Sequence, residues 1–149
     1  TIFEEKVKKF DDLRILNAAV IYGANGSGKS NVLDAISFVK NLVLNSVNHQ
    51  PGQGIRQVPH KLCGFNKEST YQIQFITKGI RYAYGFSLNN MLVSEEYLYY
   101  FPNGRQAKIF DRTDENFTVG SKFRGKFNTC KDVLKPNRLL LSCAANLQQ

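Results

Sequence analysis

Apolar and polar residues alternate through the middle of the chain with the period that a β-strand sorts onto two faces. Tyr71-Gln72-Ile73-Gln74-Phe75-Ile76 alternates, and so does Ile80-Arg81-Tyr82-Ala83-Tyr84-Gly85-Phe86-Ser87-Leu88. Successive Cβ atoms on a strand point to opposite sides, so such text predicts strands with one buried face. Lys78-Gly79, Asn89-Asn90 and Pro102-Asn103-Gly104 punctuate the runs as turns. Met91 to Phe101 is a third run, and Ala107–Phe110 and Asn116–Val119 supply two shorter ones. Together they predict an antiparallel meander over residues 70–119.

The pattern upstream is different. Ala18-Ala19-Val20-Ile21-Tyr22 is a short apolar run, β-branched at its centre, and predicts a buried strand over 16–22. Apolar residues at 32, 33, 36, 39 and 43 then recur at helical spacing and predict a helix over 29–46. Residues 1–15 scatter Phe3, Val7 and Phe10 among charges, which predicts an edge strand or an irregular lead-in. Pro51, Gly52, Gly54 and Pro59 break all periodicity between 48 and 66, as a surface loop would. After the meander, residues 129–135 predict a short helix ended by Pro136. Arg138 to Ala145 reads as a buried strand or turn.

Between the upstream strand and helix lies Gly23-Ala24-Asn25-Gly26-Ser27-Gly28-Lys29-Ser30, which fits the phosphate-binding pattern G-x-x-x-x-G-K-[ST]. A triphosphate needs several donors converging without side chains in the way. Glycines at 23, 26 and 28 free the backbone for unusual φ values and close approach. The amides then form an anion nest, reinforced by the positive end of the following helix. In such a loop Lys29 reaches the β- and γ-phosphates and the Ser30 hydroxyl binds Mg²⁺. The cofactors expected are therefore ATP and Mg²⁺. Asp34, near the start of the helix, is expected to stabilise it through the dipole.

Composition narrows the class. With 149 residues, 42% hydrophobic and 21% charged, the chain suits one globular domain with its own core. No apolar run approaches the roughly 18–20 residues of a membrane span, which predicts no membrane association. The first residues do not read as a secretory signal. Cys63, Cys130 and Cys143 are odd in number and form no C-x-x-C pair, so reduced thiols and a cytoplasmic location are expected. His60 and Cys63 lack the second pair that a structural zinc needs.

The formal charge of +8 is uneven: six basic residues against five acidic over 1–50, and fourteen against seven thereafter. That excess suits a polyanion or serves solubility, and the sequence leaves both open. Lys122, Arg124 and Lys126 alternate with Phe123 and Phe127. They mark either a nucleic-acid-binding ribbon or an exposed hairpin with a charged face. His49 and Gln53 sit where a base or ribose could be met, although a solvated loop accounts for them as well. Tyr82, Tyr84, Tyr97, Tyr99 and Tyr100 suggest a base-stacking platform, yet a sheet face packed on the core explains them more simply. Glu95 and Glu96, adjacent on a strand, face opposite ways and cannot form a catalytic dyad.

The wording Val20-Ile21-Tyr22-Gly23-Ala24-Asn25-Gly26-Ser27-Gly28-Lys29-Ser30-Asn31 is more particular than a generic phosphate loop. It resembles the ABC-type ATPases of the SMC/RecF class. With the meander and Leu139–Ala145 it looks closer still to the AAA-type ATP-binding proteins of abortive-infection and retron systems, of the AbiLi and PtuA kind. The resemblance implies an α/β P-loop NTPase lobe of ABC type carrying an antiparallel β-meander subdomain. It divides residues 1–149 into a P-loop βα unit (1–47), a loop (48–69), a β-subdomain (70–128) and a return segment (129–149). It places Gly23 to Asn31 around the nucleotide, Asn25 near the γ-phosphate, and Gln148 or Gln149 where a glutamine joins Mg²⁺ to the attacking water. It further implies an ATP-dependent dimer controlling an effector nuclease in anti-phage defence; a RecF/SMC-like repair or chromosome-maintenance ATPase is the alternative. Two departures stand out. No LSGGQ-like signature is present, and no apolar run ending in Asp-Glu forms a Walker B motif; Lys108-Ile109-Phe110-Asp111-Arg112 is the nearest approach. These residues are therefore expected to bind nucleotide and not to turn it over efficiently alone.

Overall fold

The computed structural model describes residues 7–10, 13–57, 67–127 and 129–147. The chain forms two compact units, Thr1–Ile36 and Ser37–Gln149, joined within one helix.

The larger unit is built on the meander. Strands β3 (Ser69–Thr77), β4 (Ile80–Leu88), β5 (Val93–Phe101), β6 (Ala107–Thr113) and β7 (Asn116–Val119) pair in sequence order, every pair antiparallel. The β3–β4 and β6–β7 turns are two residues each, Lys78-Gly79 and Asp114-Glu115. Lys78 and Gly79 both take positive φ, +49° and +70°, the mirror-image turn whose twist matches the flanking strands. Asn103 and Gly104 do the same after β5, and Asp114 after β6, so the short polar residues stand where left-handed backbone is needed.

Alternation sorts the side chains as the sequence predicts. Tyr82, Tyr84, Phe86 and Leu88 point from β4 to one face. They meet Tyr71 from β3 and Leu98 and Tyr100 from β5 there. That face is covered by helix α1 (Lys29–Asn45) from Ser37 onward, by a 3₁₀ segment (Ser121–Lys126), and by helices α2 (Cys130–Val133) and α3 (Leu140–Asn146). Phe38 packs on Tyr71 at 5.2 Å, Phe123 meets Tyr100 edge-on at 5.5 Å, and Phe127 packs on Phe110. Phe86, Phe110, Leu139 and Leu140 are wholly enclosed. Each such side chain contributes roughly 1.5–3 kcal/mol relative to exposure.

A register shift between Leu98 and Tyr99 leaves Ile109 as the extra residue of β6. This bulge turns Lys108 and Asp111, three apart in sequence, onto the same face, where their charged ends lie 3.1 Å apart.

Two expectations fail in this unit, both for lack of a local signal. Leu140–Asn146 is a helix, not a strand, because seven apolar and small residues are too few to reveal a period. Its first amides are taken up by a carboxylate from β5. The basic stretch at 121–126 is a 3₁₀ segment rather than a hairpin. Phe123 and Phe127 turn into the core, so they do not alternate with the cations on one exposed ribbon.

In the smaller unit, β1 (Val7–Phe10) and β2 (Leu13–Leu16) form an antiparallel hairpin. The expected strand over 16–22 does not extend beyond Leu16. Val20, Ile21 and Tyr22 are irregular and 72%, 62% and 88% exposed. Strand propensity is realised only against neighbouring strands, and among the described residues none pairs with this run. Helix α1 starts at Lys29 as predicted, yet Val32, Leu33 and Ile36 on its first turns are also exposed.

Candidate nucleotide site

The phosphate-loop residues are brought together at the start of α1. Gly26 and Gly28 adopt φ of +79° and +89°, backbone that a β-carbon would strain. Gly23 lies so close to Ser27 that a β-carbon there would stand 2.7 Å from the Ser27 Oγ. Two hydrogen bonds set the curvature: Ser27 N–H donates to Ala24 O at 3.2 Å, and Asn31 N–H donates to Gly28 O at 3.0 Å. Within the described residues, the amides of Gly26, Gly28, Lys29 and Ser30 find no backbone acceptor in the loop. Those of Lys29 and Ser30 are the first donors of α1, which no helix can satisfy internally. Donors left open at a helix N-terminus are the local chemistry of an anion site.

Lys29 folds back across this loop. Its ammonium donates to Gly23 O and Ala24 O, both at 2.6 Å, and reaches the Ser27 Oγ at 3.4 Å. Two carbonyl oxygens thus hold the charge inside the same loop that presents the open amides. The Ser30 and Asn25 side chains are exposed beside them. These residues fit a polyphosphate and its cation: Gly23 to Asn31 would surround the phosphates, Lys29 would pair with them, and the Ser30 hydroxyl would hold Mg²⁺. Gln148 and Gln149 lie outside the described residues, as do His60 and Cys63. Asp34 is exposed and lies beyond the first turn of α1, too far from the helix end for the dipole to matter much.

Other candidates turn out to be structural. His49 Nδ1 lies 3.0 Å from Asn137 O, while the His49 carbonyl accepts two hydrogen bonds from Arg138. Gln53 closes its own turn by accepting from Gln50 N–H at 2.9 Å. Asp111, the acid in the nearest approach to a Walker B run, is engaged by Tyr99 and Lys108 on the sheet. Burial first, and then the hydrogen bond to Asp111, push the Tyr99 hydroxyl up to about 12.

The glutamate pair separates as the strand geometry requires: Glu95 is exposed and Glu96 buried. What sequence reasoning missed is what Glu96 does. Its carboxylate accepts from Leu140 N–H at 2.6 Å, Leu141 N–H at 3.0 Å and Tyr84 Oη at 3.0 Å, and pairs with Arg112 at 3.3 Å. Arg112 in turn donates to the carbonyls of Asp114, Arg138, Lys135 and Pro136. The pair thus fastens residues 135–141 to β5 and β6. Burial raises the Glu96 carboxyl above its ordinary value, against the lowering by Arg112 and the amides. Burial and Glu96 likewise raise the Tyr84 hydroxyl well above 10. The one available signal was a glutamate and an arginine at inward positions of neighbouring strands, which needs the register to be read.

A family model described as an AAA domain, putative AbiEii toxin of a type IV toxin–antitoxin system, matches residues 18–128. No curated protein and no solved structure matches the chain. No helix among the described residues is long and apolar enough to cross a membrane.

Proposed function

Because the chain belongs to the family of AAA domains described as putative AbiEii toxins of type IV toxin–antitoxin systems, we propose that it is the ATP-binding lobe of a defence ATPase. The observation that carries this reading is the loop itself. Two left-handed glycines open a row of amides at the head of a 17-residue helix, and a lysine ammonium is held by the Gly23 and Ala24 carbonyls of the same loop. Gly23 to Asn31 would hold the phosphates, Lys29 would pair with them and Ser30 would hold Mg²⁺, which would supply further charge neutralisation there. Gln148 is the residue proposed to orient the attacking water.

ATP-dependent pairing of two protomers and control of an effector nuclease belong to the same proposal. A nucleotide that binds the paired state more tightly than the free one shifts the population by that difference. The exposed Val20, Ile21 and Tyr22 support a surface that a partner covers. Lys122, Arg124 and Lys126 remain the proposed basic contacts to nucleic acid.

Titration calorimetry with Mg·ATP tests the site. The parent chain is expected to bind, and Lys29→Ala to lose at least a hundredfold in affinity with its thermal midpoint nearly unchanged. Equal affinity in the two would overturn the assignment.

A further inference from the structure

The five tyrosines singled out in the meander do not share one fate. Tyr82, Tyr84 and Tyr100 face the helices, whereas Tyr97 and Tyr99 face the other way, joined by Phe101. The core residues that the helices contribute pack on the first face, and Tyr97, Tyr99 and Phe101 do not belong to that core. Tyr97, Tyr99 and Phe101 occupy alternate positions of the central strand, so their rings leave the backbone at intervals of about 7 Å. The Tyr97 ring lies over Gly85, with ring atoms 2.5 Å from where a β-carbon would stand. Glycine at 85 lets the ring lie low on the sheet, and Tyr97, Tyr99 and Phe101 are each partly exposed. Tyr97 and Tyr99 stack at 5.1 Å and 20°. The Arg81 guanidinium lies 4.0 Å above the Phe101 ring.

Charge on the sheet is polarised along the same axis. Lys78, Arg81, Arg105 and Lys108 cluster at the end where β3–β4 and β5–β6 turn, beside Phe101, with Lys108 paired to Asp111 at 3.1 Å. Glu68, Glu95, Asp114 and Glu115 gather at the opposite end, where they outnumber Lys67. Asp111, in mid-sheet, is engaged by Lys108 and Tyr99.

We propose that this open face binds a single-stranded nucleic acid, its bases stacking on Tyr97, Tyr99 and Phe101 and its phosphates running toward Lys78, Arg81 and Arg105. Stacking tolerates any base, so binding is sequence-indifferent; a duplex, whose bases are already stacked, has no π-face to offer. The site shares no residue with the phosphate loop or with Lys122, Arg124 and Lys126.

The test uses the full chain and fluorescein-labelled U12, dT12 and a 12-base-pair duplex, read by anisotropy across a salt series. U12, dT12 or both should bind more tightly than the duplex, and which does identifies RNA or DNA as the ligand. Tyr97→Leu with Phe101→Leu keeps apolar bulk and should weaken binding about tenfold or more. Lys78→Ala with Arg105→Ala should lower the salt slope by about 1.4. Lys29→Ala should bind as the parent does, which separates this proposal from the nucleotide reading. Should the leucine variant fail to fold, photocrosslinking of the unaltered chain to bromouracil-substituted dT12 decides, with adducts expected within residues 97–101. The proposal is overturned by an absence of single-strand binding, by equal affinity for the duplex, by an unaffected leucine variant, or by adducts confined to 120–127. A face found covered by a second copy or a protein partner, with no oligonucleotide bound, overturns it as well.

Discussion

The two units treat their apolar residues in opposite ways. In the larger unit, the inward residues of β4 are enclosed by neighbouring strands and covering helices, and among the apolar residues of β3 that share their face Tyr71 is packed while Ile73 and Phe75 stay exposed. In the smaller unit, Val20, Ile21 and Tyr22 have the composition of a strand core yet stand in water. A meander supplies its own neighbours through short turns, so its text is sufficient to build it. A strand of the type that precedes a phosphate loop borrows its ladder from elsewhere, and its text alone builds nothing. The loop downstream is formed nonetheless, because its shape depends on glycine backbone, one lysine and the head of α1.

That contrast can be broken by substitution. The largest loss is expected from Glu96→Ala, which strands the buried Arg112 charge and frees the first amides of α3. Removal of one partner of such a pair costs about 3–5 kcal/mol. Urea denaturation should show it, with Glu96→Gln losing less because an acceptor remains. Gly85→Ala comes next. Its β-carbon must displace the Tyr97 ring, and overpacking of this kind costs about 1–3 kcal/mol.

A smaller effect comes from alkali. Burial, aided by nearby Cys130 and Glu96, pushes the Cys143 thiol up from 9.0 to about 11. The folded chain then holds this proton where the unfolded chain releases it, so stability is full below pH 9 and falls as pH rises toward 11. Tyr84, also raised, adds to the fall at higher pH. Cys143→Ala should flatten the first part of the slope in urea midpoints measured from pH 8 to 11. The smallest effect belongs to the other unit: Ile21→Ser should change stability by no more than about 0.5 kcal/mol, as at an exposed site. A loss as large as that of Gly85→Ala would mean that Ile21 is enclosed in solution.

Legibility in the sequence followed the range of the interaction. The hairpins were readable because Lys78-Gly79 and Asn103-Gly104 carry their φ preferences in their own residues. The loop around Lys29 was readable for the same reason. Helix α3 was not, since what completes its N-terminus is Glu96, 44 residues before Leu140. Nor is the fate of Phe123 and Phe127, whose alternation with lysine and arginine reads as an exposed ribbon although Tyr100 and Phe110 receive them in the core. The tyrosines divided only once the register fixed which of them face the helices.

Hydrogen exchange with and without Mg·ATP tests the central claim most directly, because it reads both units in one sample. Amides of β4 and β5 should exchange slowly and indifferently to nucleotide, those of residues 18–22 quickly, and those of 23–31 should become protected when Mg·ATP is added. Amides of 23–31 that exchange at the same rate with and without the nucleotide would contradict the account.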